Sequence, residues 1–162
     1  MVQKRFVTAL VLTAFGLTAC PIDVIDVPGQ DGPYIEVSRT EAATGEPVQV
    51  DIKATYVSGT PYETVAKNIG LGACFMENTS IGSCRGVTIP EGAIELLENS
   101  ELYGDIGDVV VPGRQSVTVS HRFTFTSNTP LTLTPVAFIS FAYEAGDRYI
   151  DTEVVGPIVQ FR

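Results

Sequence analysis

The chain has 162 residues, with ten basic and 19 acidic side chains, one histidine, three cysteines and no tryptophan. Lys4 and Arg5 are the only charges in the first 19 residues, so the remainder has eight basic against 19 acidic groups, a formal charge of −11. Such a surface repels nucleic-acid phosphates and anionic head groups. So few ligand-type side chains also argue against a haem, iron–sulfur or histidine-rich metal centre.

Residues 1–19 read as a secretory signal peptide. Lys4 and Arg5 form a basic start, Phe6 to Phe15 an uncharged apolar core, and Gly16 to Ala19 a run of small or weakly polar residues. The core is too short to span a bilayer, which takes about 20 apolar residues.

Leu17-Thr18-Ala19-Cys20 resembles the lipobox of bacterial lipoproteins. The resemblance covers the first 20 residues and implies that Cys20 receives a diacylglyceryl group and becomes the new N-terminus. A covalent lipid anchor on Cys20 is then the expected attachment, with no other cofactor. Each buried methylene contributes about 0.8 kcal/mol, so two or three acyl chains detach very slowly. Pro21, rather than Asp, follows the cysteine. In that family this is similar to members held at the outer membrane, on its periplasmic or external face, rather than the inner one.

Residues 20–33 read as the lipidated cysteine and a tether. Pro, Gly and Asp dominate PIDVIDVPGQDGP and discourage a helix. Extended at about 3 Å per residue, this segment would lift the following domain some 30–40 Å from the bilayer.

From Tyr34 to Arg162 the pattern is β. Val48, Val50, Ile52, Ala54 and Tyr56 alternate with polar residues, giving a strand with one dry and one wet face. Ser116 to Thr126 repeats that pattern, with Val117, Val119, His121, Phe123 and Phe125 on one face. Leu131 to Tyr143 is a third strand, where Pro135 predicts an edge position or a bulge. Glu144 to Asp147 reads as a hairpin loop. Tyr149 to Phe161 returns from it, interrupted at Gly156-Pro157.

Residues 58–115 are less regular. Gly70, Gly72, Gly82 and Gly86 surround Cys74 and Cys84, and Pro90 to Asn99 reads as one short helix. The expected fold is all-β, an antiparallel sandwich with that helix in its middle segment. The GEPV start of the second strand and the C-terminal hairpin make it similar to immunoglobulin-like envelope domains. The cysteine pair and core tryptophan of antibody domains are missing.

Cys74 and Cys84 are the two thiols left once Cys20 is acylated. In an exported chain they are expected to form a structural disulfide. Their spacing is not that of a redox C-x-x-C pair or a zinc site. His121 is expected to be a half-buried structural residue, because no nucleophile–base–acid constellation accompanies it. No catalytic residue and no metal ligand is assigned.

Glu91, Glu95, Glu98, Glu101, Asp105 and Asp108 form an acidic run that makes segment 91–108 an alternative small-ligand or metal site. Asn78-Thr79-Ser80 marks a surface loop. Tyr34, Tyr62, Tyr103 and Tyr149 fall near loops or strand ends, where tyrosines serve binding or rim packing. The first expectation for function is a lipid-anchored envelope protein that acts as a structural or protein-interaction module, not an enzyme. Its partners would be the membrane, through the anchor, and an envelope protein or cell-wall component, with no nucleic acid.

Overall fold

A computed structural model describes residues 28–77, 84, 92–97, 99–142 and 148–162, with side chains left undescribed at 142, 148 and 149. The signal peptide, the lipobox and most of the tether therefore lie outside the described residues, as do Asn78-Thr79-Ser80 and the hairpin loop at 144–147.

Among the described residues, ten strands form two sheets. They are β1 (Gly29–Val37), β2 (Glu41–Ala42), β3 (Val48–Val57), β4 (Thr64–Glu77), β5 (Glu95–Leu96), β6 (Tyr103–Val111), β7 (Ser116–Thr126), β8 (Leu131–Ala142), β9 (Arg148–Val155) and β10 (Val159–Phe161). The first sheet runs β1-β3-β7-β5. The second runs β2-β10-β8-β4-β6, with β9 also paired to β8. Every pairing is antiparallel except that of β2 with β10.

The alternation in β3 places Val48, Val50, Ile52, Ala54 and Tyr56 in the layer between the sheets, each at most 2% exposed. Phe123 and Phe125 of β7 meet Phe75 of β4 there, with ring centroids 5.9 and 4.7 Å away. Leu71, Ala73, Val109, Val111, Leu133, Ala137, Ile139, Val159 and Phe161 complete this core from the second sheet. The outer face of the first sheet is polar and cross-linked. Lys53 Nζ meets Glu36 Oε2 at 3.0 Å, Arg122 Nε meets Asp51 Oδ1 at 2.5 Å, and the Thr55 and Thr118 hydroxyls are 2.9 Å apart.

Three sequence expectations change. The helix at Pro90–Asn99 does not form, and among the described residues there is no helix. Glu95 and Leu96 instead make β5, pairing with Thr126 and Phe125, and Leu97 N donates to Thr124 O. Gly92 (φ 78°) and Asn99 (φ 64°) adopt left-handed backbone that an α-helix does not accept. The free edge of β7 offered a ladder partner that the local sequence does not reveal.

β1 begins at Gly29, inside the segment read as a tether. Gly29, Gln30 and Asp31 pair with Val57, Tyr56 and Thr55 before a bulge leads to Tyr34.

Pro135 lies in a central strand, not at an edge. β8 pairs with β4 on one side and with both β9 and β10 on the other. Pro135 O accepts from Gly156 N at 2.8 Å, so its own nitrogen faces the same flank. That flank is where β9 gives way to β10 around Gly156-Pro157, and the missing donor falls in the break.

Candidate functional site

The cysteines come together as expected. Cys74 and Cys84 form a disulfide, with Cα atoms 5.6 Å apart. Cys74 alternates with Ala73 and Phe75, both of the core, so the bond sits on the outer face of the second sheet. Met76, Thr134, Val136 and Ser140 on that face are each at most 2% exposed. The sheet is thus covered on both sides over its central strands. Part of the cover is aromatic. Tyr103 of β6 and Phe138 of β8 stack with centroids 6.4 Å apart. Their rings occupy the space that side chains on Gly70 and Gly72 would need. Tyr103, expected near a loop or strand end in binding or rim packing, is a packing residue at the start of β6.

His121 is half-buried, as expected. Its Nε2 donates to the Glu101 carbonyl at 2.8 Å, since a carbonyl can only accept. Its ring lies over Gly104 and packs 6.2 Å from Phe123.

Among the described residues, the acidic run is dispersed. Glu91 and Glu98 lie outside the described residues. Glu95 sits on the edge of the first sheet and accepts from Asn128 Nδ2 at 3.1 Å. Asp108 belongs to the second sheet, where its Oδ1 accepts from Asn68 N at 2.9 Å and holds the β4–β6 bulge. Among the described residues, no group of three or more His, Cys, Asp or Glu side chains is close enough to hold a metal ion. A shallow groove lined by Glu41, Ala42, Ala43, Glu46 and Arg162 is crossed by the Arg162–Glu41 ion pair.

Two ends of the sandwich differ. At one, the C-terminus is tied back by Thr44 N to Arg162 O at 2.9 Å. At the other, the chain enters β1, and the 58–63 and 112–115 loops lie side by side. Arg114 N donates to Thr60 O and Ser58 N to Gln115 O, at 2.8 and 2.9 Å. A side chain on Gly113 would collide with the Pro61 backbone, so only glycine allows this contact. Tyr62 projects from here with 73% of its surface exposed. Its backbone is fixed: Ser58 Oγ and Thr60 Oγ1 both donate to Tyr62 O, at 3.0 and 3.1 Å. Sequence reading marked Tyr62, but it could not show that the loop holding it is braced by a second loop 50 residues later.

No protein-family model matches the chain, and no curated protein matches it. Among solved structures, it is similar to a protein from Archaeoglobus fulgidus at 8% identity, with a TM-score of 0.38, covering 82% of this chain and 96% of that one. It is also similar to the cupredoxin domain of amoB from Nitrosocaldus yellowstonii at 11% identity, with a TM-score of 0.40, covering 85% of this chain and 89% of that one. At these values neither likeness bears on activity, and the sandwich is assigned from its own strand pairing.

Proposed function

We propose that the chain is a bacterial lipoprotein, anchored in the cell envelope through acylated Cys20, whose β-sandwich is an immunoglobulin-like structural or protein-interaction module rather than an enzyme. The observation that carries this reading is the division of labour among the three cysteines. Cys74 and Cys84 are bonded to each other, which suits an oxidising compartment. The remaining thiol, Cys20, ends Leu17-Thr18-Ala19-Cys20 behind a basic start and an apolar core.

Strand order supports the immunoglobulin-like assignment. β1-β3-β7 against β6-β4-β8-β9 matches A-B-E against C′-C-F-G, while β5 lies beside β7 in the place of D but precedes β6 in the chain. A rigid two-sheet frame with its loops gathered at two ends is a scaffold for recognition. Tethering at a membrane raises its effective concentration for partners held on the same surface.

The test is a pull-down of tagged protein from native envelope in mild detergent, beside a Cys20→Ala control, with intact-mass measurement of the N-terminus. Acylation at Cys20 and one stoichiometric partner that survives salt are expected. An unmodified Cys20 would remove the anchor, and no enrichment over the control would remove the interaction role.

A further inference from the structure

The end of the sandwich at which the chain enters has a surface that the interaction reading leaves unused. Gly29, the first strand residue, pairs with Val57, the last residue of β3. Val57 is 43% exposed, and the loop it leads into carries Tyr62 at 73%. Thr64, just beyond, pairs with Val111, so Val110, 47% exposed, lies at the same end. Three of the five large hydrophobic side chains exposed among the described residues therefore lie at this end, Val57 on the outer face of the first sheet, Val110 on that of the second and Tyr62 in the loop between them. Cys20 is only nine residues from Gly29, a reach of at most about 30 Å.

We propose that this end, with Tyr62 at its tip, is a second membrane contact that rests on the lipid interface and orients the domain; the inference builds on the acylation of Cys20. Three observations favour a bilayer as the occupant. The short reach leaves this end, rather than the C-terminal one, nearest the anchor. Tyrosine prefers the boundary between head groups and acyl chains, where its ring is apolar and its hydroxyl is wet. Its loop is already fixed by hydrogen bonds from Ser58 and Thr60, so little ordering cost attends contact. With a formal charge of −11 beyond the signal peptide, the contact would be apolar and would favour zwitterionic over anionic lipid.

The absence of tryptophan gives a clean probe. Tyr62→Trp and Ile158→Trp each introduce a single indole. The second lies between β9 and β10, toward the opposite end. Each chain, beginning at Cys20, is coupled through that thiol to a maleimide phospholipid in phosphatidylcholine vesicles containing brominated lipid. The Tyr62→Trp chain should show blue-shifted, quenched emission and the Ile158→Trp chain neither. Equal quenching of both, or none in either, would overturn the proposal, including in favour of a protein occupant for Tyr62. As a check that does not rely on indole, Tyr62→Ser in a chain with one coupled acyl group should partition into vesicles about five-fold less, because a single chain binds only marginally. Unchanged partition would also count against it. Because coupling replaces biological acylation, these results stand apart from the intact-mass result on Cys20.

Discussion

The imidazole of His121, on β7, fills the space that a side chain on Gly104 of β6 would take. With Nε2 bonded to the Glu101 carbonyl, the ring ties the edges of the two sheets together. Gly104→Ala should displace it and cost about 1–3 kcal/mol in chemical denaturation. Adding His121→Ala should recover part of that loss, because the two groups compete for one volume. Strictly additive losses would sink this account.

Tyr56 gives an alkaline prediction. Its hydroxyl is buried and has no protein hydrogen-bond partner among the described residues. Burial, and then the charge of Asp151, push the phenol up to about 12. The raised group favours its protonated form in the folded state. Its contribution is therefore complete below the ordinary value of about 10 and is lost as pH climbs toward 12. Tyr56→Phe should change stability by no more than about 1 kcal/mol near neutrality, since no bond is broken. It should also flatten the alkaline decline in a series of thermal melts. A large loss near neutrality would show that the hydroxyl has a partner.

Asp51 gives the acid counterpart. Burial raises its carboxyl, but hydrogen bonds from Arg122 and Gln49, with the charges of Arg122 and Lys53, outweigh that and hold it below its ordinary value. A depressed carboxyl stabilises the fold above its unfolded value, about 3.9, and that increment disappears as pH falls through the lower folded value. The Arg122 side chain is 65% exposed, so the solvent-screened effect should stay below about 1 kcal/mol. Asp51→Asn should narrow the stability difference between about pH 6 and pH 3. An unchanged acid profile would assign that difference to other carboxylates.

The disulfide closes a loop with nine residues between its cysteines. Replacing both Cys74 and Cys84 by Ser should lower stability by about 2.5–3 kcal/mol in the chain-entropy model. Reductant should lower the Tm of the parent and leave the double variant unmoved. A parent melt insensitive to full reduction would mean that the bond contributes nothing to the fold.

β3 and β7 are legible in sequence because each has one wet face, whereas β8, buried on both faces, is legible from its apolar run and the turns that flank it. β3 and β7 alternate because their outer faces meet solvent, and the register Val50↔Phe123 follows from pairing two such patterns. β4, at 14 residues the longest strand among the described residues, is not legible in the sequence. It is buried on both sides, which erases the alternation. Its Gly70 and Gly72 also look like loop residues, although they are the floor beneath Tyr103 and Phe138. The helix expected at Pro90–Asn99 failed for the converse reason. Local propensity favoured it, and the open edge of β7 claimed Glu95 and Leu96.

By itself, the sequence determined the β class, the alternating faces of β3 and β7 and the cysteine pair, and it carries the Leu17-Thr18-Ala19-Cys20 pattern on which the lipoprotein proposal rests. These rest on local chemistry or on spacing along the chain. Tertiary structure alone decided that Pro135 can occupy a central strand, that β4 is covered on both faces and that Glu95 and Asp108 of the acidic run lie on different sheets. It also placed Tyr62, Val57 and Val110 at the end of the sandwich where β1 begins. Each of these depends on which distant segment lies alongside, and side-chain periodicity reports only whether a face is dry.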